Sequence, residues 1–201
     1  MKNRLISVIG PTAIGKTSMS IALAKIHQTE IISCDSRQFY KEMSIGTAVP
    51  ENSELAEVPH HFIQHRSIFE NYNVGDFEKD ALNRLDEIFQ QNNIAIMVGG
   101  SGLYEKAVVE GLDYFPEVKP EIRKKLNSIL EKDGIEMLQK ELAEKDPEYF
   151  DTIDQENPRR IIRALEVILS SGEKFSKFLN QPKAQRSFET IKIGLDAPRA
   201  V

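Results

Sequence analysis

The sequence is short of several things, and each shortage narrows what the chain can be. It has a single cysteine, Cys34, which excludes an intramolecular disulfide and fits a reducing compartment. The ordinary role of Cys34, at the end of an apolar run, is that of a small buried hydrophobe. No stretch approaches the run of about 20 apolar residues that a membrane-spanning helix needs. The apolar segment after Met1 is far too short for a secretory signal, so a cytoplasmic location away from membranes is expected. Internal repeats and low-complexity tracts are missing too. Nor is there an excess of positive charge: the formal net charge is −5, a weak argument against a nucleic-acid partner.

What is present is ordinary in bulk and uneven in detail. The 201 residues, 40% hydrophobic and 28% charged, suffice for one α/β domain with an insertion or for two small domains. Residues 1–118 carry 10 Lys and Arg against 16 Asp and Glu, whereas residues 119–201 carry 16 against 15. Within 157–192 the basic residues Arg159, Arg160, Arg163, Lys174, Lys177, Lys183, Arg186 and Lys192 face only Glu166, Glu173 and Glu189. Local clustering of this kind, more than net charge, is the footprint of contact with a phosphate backbone, although most such runs are solvated faces.

One stretch organises the rest. Gly10-Pro11-Thr12-Ala13-Ile14-Gly15-Lys16-Thr17 follows the apolar run Leu5–Ile9 and opens the helical pattern from Ser18, so the G-x-x-x-x-G-K-[ST] motif has its expected strand before it and helix after it. Glycines let backbone N–H groups curl around phosphate oxygens, and a helix N-terminus adds unpaired donors and a favourable dipole. Lys16 supplies a mobile charge and the Thr17 hydroxyl can sit on Mg²⁺. Alone, the loop is a polyphosphate cradle, most often for ATP.

The remaining elements follow in order. Met19, Ala22, Leu23 and Ile26 recur at helical spacing and predict the buried face of the first helix. A short strand at Glu30–Cys34 delivers Asp35-Ser36-Arg37-Gln38 to its carboxyl end, the edge at which ligands bind in open α/β sheets. On position alone Asp35 is either a general base or Mg²⁺-associated carboxylate, or a cap for the following turn. Residues 41–75 read as irregular. The histidines at 60, 61 and 65 invite a metal reading, but no thiol accompanies them and neighbours in a strand point apart, which favours structural roles. Asn73 caps a helix with the stripe Phe77, Ala81, Leu82, Leu85 and Phe89. A strand at Ile94–Val98 then runs into a second glycine-rich turn, Gly99-Gly100-Ser101-Gly102, where a ligand or backbone can approach closely and Ser101 can donate a hydrogen bond.

From Phe115 short helices replace strands. Asn157-Pro158 starts a helix that Gly172 stops, with Ile161, Ala164, Leu165, Ile168 and Leu169 as its buried face. Its early arginines oppose the helix dipole, which an anionic ligand would offset. Residues 190–195 read as a last strand. The expected architecture is α/β, a P-loop NTPase-like parallel sheet flanked by helices. Its expected parts are a core at 1–114, a helical insertion at 115–150 covering the site, and a segment at 151–201 with the arginine-bearing helix and the last core strand.

Six blocks together resemble the tRNA dimethylallyltransferase (tRNA isopentenyltransferase) family: Gly10–Thr17, Asp35–Gln38, Ile45–Ala48, Val58–His61, Val98–Tyr104 and Asn157–Glu166, in that family's order. The resemblance implies transfer of a dimethylallyl group from dimethylallyl diphosphate, with Mg²⁺, to the N6 amine of an adenosine beside the anticodon, in tRNAs that read codons beginning with U. It implies Asp35 as general base, Thr12 near the scissile C–O bond, and Lys16 and Thr17 on the diphosphate. It also implies tRNA contacts at Asp35, Ser36, Arg37, Gln38, Ser101, Arg123, Arg159, Arg160, Ile161, Ile162 and Arg163. Members of the family continue well past the point matching Val201, through a further arginine near the diphosphate. That leaves a fragment or a shortened paralogue as alternatives. Competing functions are a P-loop small-molecule kinase using ATP, prenylation of free AMP, and a non-catalytic tRNA-binding paralogue. A monomer is the default.

Overall fold

A computed structural model describes residues 2–182 and 185–197. The chain forms two compact units, one of residues 1–112 and 184–201, the other of residues 113–183.

In the first unit, β1 (Asn3–Ile9), β2 (Ile31–Ser33), β3 (His60–His61), β4 (Ile94–Gly99) and β5 (Phe188–Gly194) form one sheet in the order β3-β2-β4-β1-β5. Every pairing is parallel, with Ile6 opposite both Ile96 of β4 and Ile191 of β5. A parallel sheet covered on both faces needs strands that are apolar throughout. Leu5, Ile6, Val8, Ala95, Ile96 and Met97 are all buried. Alternate residues serve opposite faces. Ile6, Ile31 and Ile96 pack with Ile21 and Ala24 of α1 (Lys16–His27). Leu5, Ile32, Ala95 and Met97 pack with Phe77, Ala81, Leu85 and Ile88 of α3 (Val74–Gln91) and Val108 of α4 (Gly102–Glu110). Asn73 caps α3 as expected, accepting from the amides of Gly75 and Asp76.

Two expectations need correction here. The buried face of α1 is Ser20, Ile21 and Ala24, with Leu23 partly buried beside it as expected, whereas Met19, Ala22 and Ile26 are exposed, Ile26 at 72%. The rotation of α1 is set where it leaves the phosphate loop. Small Ser20 and Ala24 then let the helix lie close to the sheet, the Ser20 hydroxyl being satisfied within the helix by the Thr17 carbonyl. Residues 41–75 are not wholly irregular: they hold α2 (Asn52–Leu55) and the edge strand β3. Two residues of strand are too few to leave a periodic signal.

In the second unit, α5 (Pro120–Asp133), α6 (Ile135–Lys145), α7 (Pro147–Phe150) and α8 (Pro158–Ser171) are followed by a 3₁₀ turn at Phe175–Phe178. Proline opens α5 and α8, Asn157 caps α8 through the amide of Arg160, and Gly172 ends it in the left-handed conformation. Leu126 of α5, Leu138 and Leu142 of α6, and Ile161, Ala164 and Leu165 of α8 share one core. Helix α8 thus packs with α5 and α6, and the last strand belongs to the sheet of the first unit. Buried Asp146 fastens this bundle: its carboxylate accepts from the Tyr149 amide and from both the amide and hydroxyl of Ser176.

At the carboxyl edge of the sheet the turn after β4 presses against β2. A Cβ on Gly99 would lie 2.6 Å from both the carbonyl carbon and the sulfur of Cys34. Gly99→Ala is expected to cost about 2 kcal/mol by overpacking, read as a lower urea midpoint without a change in slope; an unchanged midpoint would show that the edge yields.

Candidate active site

Because the strands are parallel, the loops after β1, β2 and β4 all emerge at one edge. The loop after β1 is tight. A Cβ on Gly10 would meet the Leu195 carbonyl oxygen at 2.5 Å, and Gly15, φ 95°, takes the left-handed conformation that starts α1. The helix begins without a side-chain cap and without an acidic residue in its first turn, so no side chain of its own competes for the donors there. The Lys16 ammonium reaches back across the loop and donates to the Pro11 carbonyl at 2.6 Å.

The turn after β2 is held from three sides. Asp35 Oδ1 accepts from the Arg37 amide at 3.2 Å, a local turn bond of the kind aspartate favours. Gln38 Oε1 accepts from the Ser33 hydroxyl at 3.0 Å while its Nε2 donates to the Ala48 carbonyl at 2.7 Å. The Ser36 amide donates to Ser101 Oγ at 3.0 Å, and the two hydroxyls are 3.1 Å apart. Ser101, expected as a donor to a ligand, is therefore also an acceptor that joins the β2 and β4 turns. A Cβ on Gly100 would sit 3.4 Å from Asp35 Oδ2.

These loops line a pocket of about 270 Å³ that contains Thr12, Lys16, Thr17, Asp35 and Gln38. Ala13 and Gly15 line it too, whereas Gly10, Pro11 and Ile14 shape the loop without facing the cavity. Glu54 and His60 also line the pocket. Sequence reasoning missed both as site residues: Glu54 sits in a four-residue helix, and His60 was weighed only as a metal ligand or a structural histidine. Burial holds the His60 imidazole below its ordinary pKa, with Glu54 opposing that shift. Cys34 beneath the pocket is fully buried, and burial drives its thiol well above the usual range, so it is no nucleophile.

The other singled-out residues lie in the second unit. Arg159 and Arg160 are exposed on the first turn of α8. Ile161 and Ile162 are buried, at 0% and 5% exposure, so their side chains serve the core. Arg163 lies over the Phe115 ring and 3.6 Å from Glu166, a carboxylate 2% exposed that also receives Arg123. Of the three arginines on α8, Arg163 is thus neutralised by a buried acid one turn further on. No sequence period marks Glu166, since it stands on the apolar face. Arg123→Ala would leave Glu166 with only Arg163, and an expected loss of about 2 kcal/mol in thermal or urea unfolding follows. A stability equal to wild type would free Arg123 from its structural part.

The comparisons with known proteins agree with one another. A family model described as IPP transferase matches residues 38–201. The tRNA dimethylallyltransferase of Christiangramia forsetii is 61% identical over 199 residues, covering 99% of this chain and 66% of the relative. That of Flavobacterium psychrophilum is 57% identical, covering 99% and 67%. Among solved structures, a eukaryotic dimethylallyltransferase acting on tRNA superposes with a TM-score of 0.78 at 28% identity, covering 96% of this chain and 48% of that one. The full-length tRNA isopentenylpyrophosphate transferase of Bacillus halodurans gives 0.59 at 34% identity, covering 96% and 60%. The chain spans about two thirds of the length of these curated relatives. It belongs to the IPP transferase family, and its core has that family's P-loop NTPase-like fold.

Proposed function

We propose that this member of the IPP transferase family transfers a dimethylallyl group from dimethylallyl diphosphate to the N6 amine of an adenosine beside the anticodon of tRNA, in tRNAs that read codons beginning with U. The observation that carries the reading is that Thr12, Lys16 and Thr17, from the loop after β1, and Asp35, from the turn after β2, line one pocket.

In this reading the loop amides and Lys16 hold the diphosphate, while Thr12 hydrogen-bonds the oxygen that bridges it to the allylic carbon. That C–O bond breaks with its electron pair staying on the diphosphate, the new bond forms from N6 to the allylic carbon, and the amine proton passes to Asp35. An exocyclic amine is a weak nucleophile, so a carboxylate placed to take its proton accelerates the step. Donors fixed before charge develops stabilise the leaving group. Mg²⁺ would be held by the Thr17 hydroxyl together with phosphate oxygens. That set suits a small cation that keeps several waters and needs few protein ligands, and its chemistry would be to neutralise the departing diphosphate. The acceptor base must leave its stack to reach the pocket. Ser36, Arg37, Gln38 and Ser101 would receive it on the first unit, and Arg159 and Arg160 of the second would hold phosphates without reading sequence. All named groups are on one chain, so a monomer suffices, and the substrates place the reaction in the cytoplasm. Among the described residues no helix is long and apolar enough to cross a membrane.

The test is to incubate the chain with dimethylallyl diphosphate, Mg²⁺ and, separately, tRNA or AMP. Prenylated tRNA supports the reading; product on AMP alone, or ATP turnover without prenylation, overturns it. Asp35→Asn should lower the rate by roughly a hundredfold or more while pyrophosphate binding persists, and a near-normal rate would remove Asp35 as the base. Arg159→Ala with Arg160→Ala should weaken tRNA binding and reduce its salt slope by about one to two. An unchanged slope would place the phosphate contacts elsewhere.

A further inference from the structure

Among the described residues that line the pocket there is one cation, Lys16, against two carboxylates, Asp35 and Glu54. Glu54 is itself fixed, accepting from the Glu51 amide at 2.9 Å in the capping box of α2. A multiply charged diphosphate entering this site favours any further positive charge that the described lining residues can supply.

His60 is the one further lining residue that can become cationic. Its Nδ1 lies 2.7 Å from the Val58 carbonyl. A carbonyl only accepts, so Nδ1 carries the hydrogen and the neutral ring has its lone pair on Nε2. Among the described residues Nε2 has no partner, and it is closed to water, an arrangement that costs free energy as long as it persists. The neighbouring His61 is occupied differently, its Nε2 lying 2.6 Å from the Glu30 carboxylate. The two adjacent histidines are thus divided: one braces the sheet edge, and the other, a lining residue of the pocket, keeps an unpaired Nε2 among the described residues.

We propose that His60 takes up a proton from solvent as the diphosphate binds and donates it from Nε2 to a phosphate oxygen, so that ligand capture is coupled to protonation. The proposal rests on the reading of Gly10–Thr17 as a diphosphate grip. Before binding, burial and the neighbouring His61 disfavour the charged ring, while the bond to the Val58 carbonyl and the charge of Glu54 favour it. Lys16 and Asp35, across the pocket, contribute opposite signs. An anion in the pocket adds to the side of Glu54 and tips the ring towards its cationic form. Because Nε2 is sealed, its contact with the ligand requires the wall at His60 to open slightly, and the new charge-assisted bond compensates for that opening.

The experiment follows the His60 ring by NMR across about pH 5 to pH 8 in the full chain, with and without inorganic pyrophosphate and Mg²⁺. The amides of Gly15, Lys16 and Thr17 report occupancy of the loop. The expected result is that the His60 midpoint rises by at least about one pH unit when those amides shift. Correspondingly, the affinity of wild type relative to His60→Gln should fall by up to about tenfold per pH unit between the midpoints of the free and the bound ring, and level off above the latter. Shifted loop amides with an unmoved His60 midpoint would overturn the proposal and leave the diphosphate grip standing. Equal affinities of wild type and His60→Gln at every pH would do the same. Loop amides that do not respond to pyrophosphate would overturn both.

Discussion

A parallel ladder leaves the chain no choice about where its loops collect. Each strand runs the same way, so each ends at the same edge, and β4, paired with β2 on one side and β1 on the other, holds the centre. The phosphate loop, the Asp35 turn and the second glycine turn are neighbours for that reason, although up to 90 residues separate them along the chain. Gly99 sets how closely the turns approach: with no side chain, it lets β4 end against the Cys34 backbone. The hydroxyl contact of Ser36 with Ser101 then ties the two later turns together.

Much of this was legible in the residues because local chemistry and global fold agree. The phosphate loop, the Asn73 and Asn157 caps, the prolines that open helices and the glycine that closes α8 each satisfy backbone groups through a side chain or a special dihedral angle, and such signals are short in sequence. What was not legible depends on tertiary context. The face of α1 was misread because its apolar residues are spread around the helix, and the close packing of Ser20 and Ala24 settles the matter only once the sheet is present. Edge strand β3 is too short to show a pattern. Glu166 stands among apolar neighbours, and nothing in its spacing says that Arg123, 43 residues away, will meet it.

The site divides in the same way. Lys16, Thr17 and Asp35 could be singled out by motif and by position at a strand end. Glu54 and His60 could not, because they reach the pocket from a short helix and a two-residue strand. The α8 block mixes two kinds of residue, since a motif block carries its core residues along with its surface ones. Only burial separates Ile161 and Ile162 from the arginines that flank them.

The bond from Lys16 to the Pro11 carbonyl has a consequence for capture. A lysine free in solution samples many rotamers, and holding it in one forfeits about 2 kcal/mol of side-chain entropy. Here the side chain is already folded over its own loop. An arriving anion therefore meets a positioned charge whose other two N–H donors are left for it by the single bond to the carbonyl.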